Sequence, residues 1–311
     1  MLIYLLILVF LAIVFGGAYY AYRIAFYSAR EDWEKLPPTN NATFDPYREN
    51  MRKLYHQLQN RPFEFVTVTS HDGLTLSGRY YHVADGASLD ICFHGYHSSA
   101  MTDFIGGSDI SLKLGHNLLL IDQRAHGRSQ GRTITFGIKE RKDLLQWVHY
   151  AVDRFGEEVQ IVLYGISMGG ATVLMASGLD LPKNVKGIVA DCPFASPMEI
   201  IAHVGKSNPI PNWLIRPFVK LGARVYGGFE VEETDAAQAL EKAKIPVLIL
   251  HGEADTFVPG EMSDLVSINP DLISRYTFPG AGHGTSYLVD PKRYTEIVTQ
   301  FNHQILHHET Q

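Results

Sequence analysis

The chain has 311 residues, 46% hydrophobic and 19% charged, with a formal net charge of −6. That balance excludes a disordered or low-complexity chain, and with no long basic run no nucleic-acid partner is expected. Cys92 and Cys192 are too few for a disulfide framework and read as buried packing residues, and without a CxxC or HExxH spacing no metal is expected.

The first predicted element is apolar. Leu2 to Tyr22 carries no charge, and its 21 residues would form a helix about 32 Å long, matching a hydrocarbon core of about 30 Å. Tyr19, Tyr20 and Tyr22 fall where an aromatic belt would sit. No Lys or Arg precedes Arg23 and no A-x-A site follows, so residues 1–26 read as an uncleaved single-pass transmembrane anchor rather than a signal peptide. Arg23, Arg30 and Lys35 lie after the span, which by the positive-inside rule alone puts the body in the cytoplasm.

Residues 27–62 read as linker and lead-in. Glu31 to Pro46 is polar, with Leu36-Pro37-Pro38 and an Asn41-Ala42-Thr43 sequon, and Asp45–Gln59 has the pattern of a short amphipathic helix. From residue 63 to 311 short apolar strands alternate with helices. Phe63–Thr69 and Leu74–His82 flank His71-Asp72-Gly73 as a hairpin. Leu89–Phe93, Asn117–Ile121, Gln160–Leu163, Val185–Ala190, Ile245–Leu250 and Ser274–Phe278 complete the strand set. Helices are expected at Thr102–Leu114, Gly137–Phe155 and Pro291–His307. Continuous apolar strands between helices imply a mainly parallel sheet covered on both faces, an α/β fold whose ligands bind at the carboxyl ends of the strands. The Pro-rich stretch Cys192–Lys244 breaks that rhythm and reads as a small helical cap at about 193–240. Its Ile200, Ile201, Trp213, Leu214, Phe218 and Val219 either line a substrate pocket or pack the cap onto the body.

The chemistry-bearing motifs all fall at strand ends. Gly165-Ile166-Ser167-Met168-Gly169 follows the strand QIVLY and opens the helical run ATVLMAS, which is the context a G-x-S-x-G nucleophile elbow requires. Ser167 is therefore the candidate nucleophile. A serine hydroxyl needs a base, and in this arrangement acid and histidine follow in that order. Asp255, after the strand IPVLILHG, is the candidate acid, with Glu253 and Asp191 as rivals. His283, in Gly280-Ala281-Gly282-His283-Gly284, is the candidate base. Backbone N–H groups of Met168 and Tyr96, the latter in His94-Gly95-Tyr96, are the expected oxyanion donors. The Tyr96 side chain is a candidate for shaping an acyl pocket. Asp122-Gln123-Arg124-Ala125-His126-Gly127-Arg128-Ser129 reads as a structural loop whose Asp and Arg satisfy backbone groups near the elbow.

Taken together, HGY, DQRAHGRS, GISMGG, HGEADTFVP and GAGH occur in the order and spacing of the α/β-hydrolase superfamily. With the N-terminal span and DCPFASP, the chain resembles the bacterial membrane-bound cell-surface hydrolases, and more distantly peptidases of the prolyl-oligopeptidase type. The resemblance runs from about Phe63 to His307 and departs at Ala125, where the pattern D-x-R-G-H-G-x-S has glycine. It implies the α/β-hydrolase fold and extracytoplasmic display, the second in conflict with the charge rule. The activity expected is hydrolysis of a small-molecule ester or other acyl substrate through an acyl-enzyme, with no cofactor. Thioesters would use the same residues. A peptidase would need acidic groups for a substrate amine, for which Glu199, Glu230, Glu232 and Glu233 are candidates. Serine at 167 excludes the usual dehalogenase chemistry, which needs Asp there. A non-catalytic membrane scaffold is the rival from another class.

Overall fold

In the computed structural model, which describes residues 1–29, 42–207 and 211–307, eight strands form one sheet in the order β1-β2-β4-β3-β5-β6-β7-β8. The strands are β1 (Glu64–Thr69), β2 (Thr75–Tyr81), β3 (Leu89–Phe93), β4 (Asn117–Asp122), β5 (Ile161–Ile166), β6 (Val185–Asp191), β7 (Val247–Gly252) and β8 (Ile273–Phe278). β1 and β2 form the hairpin and β2 pairs antiparallel with β4. From β4 onward every pairing is parallel. All eight predicted strands are present with ends shifted by at most a few residues; the central ones, buried on both faces, are apolar nearly throughout.

Alternation along each strand divides the core in two. Leu119 and Ile121 of β4 point to one face, where Leu144, Trp147 and Val148 of α5 (Glu140–Phe155) and most of α6 (Met168–Ala176) pack. Leu118 and Leu120 point to the other. There they meet α2 (Arg48–Gln59), α4 (Ile105–Lys113) and α11 (Pro291–His307), through Tyr55, Ile110 and Phe301 among others. The single helix expected over Thr102–Leu114 is two, α3 (Ala100–Asp103) and α4, broken at Phe104. The lead-in helix is α2, preceded by a 3₁₀ turn at Ala42–Tyr47. Arg30, Lys35, Leu36-Pro37-Pro38 and Asn41 lie outside the described residues.

The cap region contributes α7 (Pro197–Val204), α8 (Asn212–Gly222), a π-helical turn at Ala223–Gly227 and α9 (Ala236–Leu240). The N-terminal apolar helix, α1 (Leu2–Ala25), is a candidate span in length and hydropathy, and its last turns belong to the folded body. Ala18, Tyr22 and Phe26 are buried. A Cβ on Gly222 of α8 would lie 2.5 Å from the Ala18 carbonyl oxygen, so the two helices touch backbone to backbone. Beyond α1 the chain is stitched down: Ile134 N–H donates to Phe26 O (2.7 Å) and Ser28 N–H to Arg132 O (2.9 Å).

Candidate active site

Between β5 and α6 the chain turns in one residue. Ser167 has φ 55° and ψ −115°, a left-handed conformation that costs a side-chain-bearing residue free energy and lifts its hydroxyl clear of the strand. The turn closes only because its neighbours lack side chains. A Cβ on Gly165 would fall 2.2 Å from Gly169 O, and one on Gly169 1.8 Å from Phe93 O. Ser167 N–H is committed to Asp191 O at 2.8 Å, and Met168 is the first residue of α6.

Ser167, His283 and Asp255, separated in sequence, form one hydrogen-bonded chain. Ser167 Oγ lies 2.9 Å from His283 Nε2, and His283 Nδ1 lies 2.7 Å from Asp255 Oδ2. A fixed carboxylate dictates the tautomer: Nδ1–H donates to Asp255, so Nε2 offers its lone pair to the serine hydroxyl. Asp255 itself is held from behind, where its Oδ1 accepts the N–H groups of Phe257 (3.0 Å) and Val258 (2.8 Å). Its side chain is fully buried whereas a quarter of the imidazole is exposed.

The rival acids bind other partners. Glu253 accepts from Thr277 Oγ1 at 2.7 Å on the exposed side of β8. Asp191, at the end of β6, accepts from Ser286 Oγ (3.3 Å) and from the Tyr294 hydroxyl. Burial pushes its carboxyl up to about 6, against the hydrogen bond from Tyr294 and the attraction of His283.

Tyr96 follows Gly95 at the end of β3, and both border the cavity that holds Ser167 and His283. Two histidines brace this loop. His94 Nδ1–H donates to Gly95 O (2.7 Å) while its Nε2 accepts Gln123 N–H (3.1 Å). His126 Nε2 accepts His97 N–H (3.2 Å) and its Nδ1–H donates to Arg124 O (2.9 Å). Burial holds His126 well below the ordinary histidine range, which keeps Nε2 free to accept. The Tyr96 side chain is held by two contacts. It stacks on Phe136 at 5.0 Å and donates to Ala25 O (3.1 Å), at the end of α1.

The loop after β4 differs in detail from its sequence reading. Asp122 accepts Arg128 N–H (3.0 Å) as a backbone-satisfying residue should, but Arg124 binds carboxylates. Its Nε and Nη2 donate to Asp143 at 2.6 Å each, and Nη1 and Nη2 to Asp72 at 3.0 Å. It is His126 that serves the backbone beside the elbow. Ala125 sits at φ 64°, which accounts for the glycine usual there: alanine adopts that conformation at a cost of about 1–2 kcal/mol.

The cavity over Ser167 has a volume of about 260 Å³, with Phe44, Met51, Phe104, Phe257, Tyr287 and Leu288 among its walls. Among the described residues, no cap residue lines it, a correction to one of the two sequence readings. Ile200 and Val219 are buried in the core, Phe218 packs on Gly17, and Trp213 and Leu214 are exposed. Of the four candidate amine-binding acids, Glu230 pairs with Arg224, Glu232 with Arg216 and Lys220, and Glu233 with Arg141 and Lys142. None of the four, Glu199 included, borders the cavity. A larger groove of about 640 Å³ along Phe63, Tyr80 and Arg154 contains none of the groups described above. Ligand atoms of Cys192, Asp255 and His283 lie within 4.8 Å of one another, and burial pushes the Cys192 thiol up.

Residues 91–234 match the family model described as the alpha/beta hydrolase fold. A crystallised esterase, Pf2001 of Pyrococcus furiosus, superposes with a TM-score of 0.65 over 87% of this chain and 97% of its own, at 24% identity. The chain has the α/β-hydrolase fold. Over nearly its whole length this α/β-hydrolase is 25% identical to an uncharacterized protein, YqkD of Bacillus subtilis, covering 93% of each chain. It is 31% identical over 150 residues to the thiohydrolase aneE of Aspergillus aculeatus, 47% of this chain and 44% of that one.

Groups that sequence reasoning passed over sit one layer behind the hydrogen-bonded chain of this α/β-hydrolase. His251, the last polar residue of β7, is buried with Nε2 2.9 Å from Val258 O and 3.5 Å from Asp255 Oδ2, and its Nδ1 meets Ser263 Oγ at 2.8 Å. A polar residue ending an apolar strand was the available signal for it. Ser286 and Tyr294 had no such signal, because their shared partner Asp191 is about a hundred residues away in sequence.

Proposed function

We propose that this α/β-hydrolase is a serine hydrolase cleaving carboxylic esters through an acyl-enzyme. The observation carrying the reading is the 2.9 Å separation of Ser167 Oγ from a His283 Nε2 whose other nitrogen is held by buried Asp255. As Ser167 Oγ bonds the ester carbonyl carbon, its proton passes to His283 Nε2. Asp255 orients the ring and balances the imidazolium. The carbonyl oxygen becomes an oxyanion that accepts the N–H groups of Met168 and Tyr96. Collapse breaks the bond to the alcohol oxygen, which leaves with the proton from His283. Water then gives a proton to His283 and its oxygen to the acyl carbon, and Ser167 departs reprotonated. The apolar walls of the cavity suit the acyl part of the substrate. Names of relatives support the class: an esterase in Pyrococcus furiosus and a thiohydrolase in Aspergillus aculeatus. The second of these favours thioesters as the alternative substrate.

The N-terminal helix serves in this reading as an uncleaved single-pass membrane anchor of residues 1–26, with the catalytic domain, residues 63–311, displayed outside the cytoplasm. A fluorophosphonate probe tests the chemistry. Full-length protein in detergent should be labelled at Ser167, and Ser167→Ala and His283→Ala should lose the label while melting like the wild type. Folded wild-type protein that stays unlabelled would sink the catalytic reading in favour of a scaffold.

A further inference from the structure

No side chain is buried over the first fifteen residues of α1, Leu2 to Gly16, a length of about 22 Å against a hydrocarbon core of about 30 Å. The rest of α1 is fixed to the body by Ala18 and Tyr22, and the chain beyond it by Phe26 and the two backbone bonds to the strip at Arg132–Ile134. No slack separates helix from body. If α1 spans a bilayer, the missing 8 Å or so must come from the protein surface at its exit.

That surface is the cap helix α8 and the π-turn after it. Phe218 packs on Gly17, Gly222 on Ala18 and Tyr22, and the Tyr226 ring on Tyr19 (5.2 Å) and Tyr22 (6.0 Å), with its hydroxyl donating to Phe15 O (3.2 Å). These contacts bring residues 218–226 of the cap against residues 15–22 of α1, at the point where the helix enters the body. Trp213, Leu214, Val225 and Tyr226 of this segment are exposed, as are Tyr19, Tyr20 and Ile24 on the matching stretch of α1. The basic residues Arg216, Lys220 and Arg224, spaced four apart, turn instead to Glu230 and Glu232.

We infer that α8 and the π-turn are embedded in the interfacial layer of the bilayer that α1 crosses, so that the cap and the anchor form one lipid-facing surface. The occupant of this face is lipid, because the fixed junction leaves α1 too short to span alone and the apolar residues that make up the length are on α8. The inference rests on α1 being a span, and the two can be separated experimentally. It also gives the cap a role that lining the cavity does not: it holds the mouth of the site, through Tyr96 and Ala25, at the membrane surface.

Both native cysteines are buried, so a surface cysteine in the full-length chain can be spin-labelled selectively. Labels at Phe10→Cys, Leu214→Cys, Val225→Cys and, on the exposed edge strand, Tyr276→Cys would be reconstituted in phosphatidylcholine–phosphatidylglycerol vesicles. Collision with oxygen, which concentrates in lipid, would be compared with collision with a water-soluble nickel chelate. The expected result is an oxygen-to-nickel ratio several-fold higher at 10, 214 and 225 than at 276. Positions 214 and 225 matching 276 while 10 reads as lipid would overturn the embedding and leave the anchor standing. Position 10 reading as water would overturn both.

Discussion

Two polar clusters stand at the carboxyl edge of the same sheet, and they are built from the same kinds of group. After β4, Arg124 joins Asp72 and Asp143; after β5, Ser167 joins His283 and Asp255. The first is closed. Arg124 forks onto two carboxylates at once, and although burial alone would weaken its charge, the hydrogen bonds it donates to Asp143 and Asp72 raise its pKa above the ordinary value. Asp72 is held well below the usual carboxylate range by Arg124 and Ser70, against the opposing effect of burial. The second cluster ends on a hydroxyl that borders a cavity with apolar walls. Saturation makes the first a rivet for the hairpin; the open end leaves the second free for the proposed chemistry. Residue type alone does not separate the two, but the presence of a cavity at one end does.

The sharpest way to break this comparison is at Asp255. Asp255→Asn keeps an oxygen for the Phe257 and Val258 amides but turns an NH₂ towards His283, which then takes the wrong tautomer. The turnover of an activated ester should fall about 10⁴-fold with little change in stability. A loss under tenfold would mean that another carboxylate, with Asp191 nearest, does the work. Arg124→Ala should do the reverse: stability falls by about 3–5 kcal/mol because a buried Asp143 is left without its partner, while the folded fraction keeps its activity within a few-fold. Chemical denaturation would measure the loss, and R124M/D143L should recover much of it. A single variant within about 1 kcal/mol of wild type would show the cluster to be ornamental.

The open cluster was the more legible of the two from sequence, for a physical reason. An elbow needs a strand, a one-residue turn and a helix in succession, so Gly165, Ser167 and Gly169 announce themselves locally, and Asp255 and His283 each follow a readable strand. Fully buried strands such as β4 and β5 are continuous apolar runs and were legible on that ground, whereas β1 and β2 were legible from the turn between them. The closed cluster joins a hairpin tip at Asp72 to the first turn of α5 at Asp143, and nothing local couples them. Helix α1 was legible only in part. An apolar helix facing lipid and one facing protein have the same composition, so the docking of Ala18 and Tyr22 against α8 left no trace in hydropathy. Of the two readings open for the cap, pocket lining failed for a related reason: hydropathy does not say which surface an apolar residue faces.

Asp191 lies between the two clusters in character, a buried carboxylate with partners but no opposite charge bound to it. Its pKa of about 6 in the folded chain stands above the ordinary value of 3.8. Between those values the native state holds a proton that the unfolded chain has lost, so this group's contribution to stability is full below about pH 4 and is lost as pH rises through about 6. The shift corresponds to at most about 3 kcal/mol. Asp191→Asn, neutral throughout, should match wild type near pH 4 and exceed it at pH 7. Denaturation midpoints that run parallel across that range would show that Asp191 stays ionised in the folded state.

The smallest expected effect tests whether the open cluster is also fastened to the anchor. Burial pushes the Tyr96 hydroxyl up to about 12, so it stays a donor to Ala25 O at any assay pH. Tyr96→Phe keeps the stack on Phe136 and removes only that hydrogen bond, worth about 1 kcal/mol. If the bond fixes the amide of Tyr96 as an oxyanion donor, part of that energy is felt in the transition state. Then kcat for an activated ester falls by up to about fivefold while KM holds. If the bond merely seats α1, the melting temperature drops and kcat does not. The split between the two readouts decides whether α1 steadies the chemistry or only the fold.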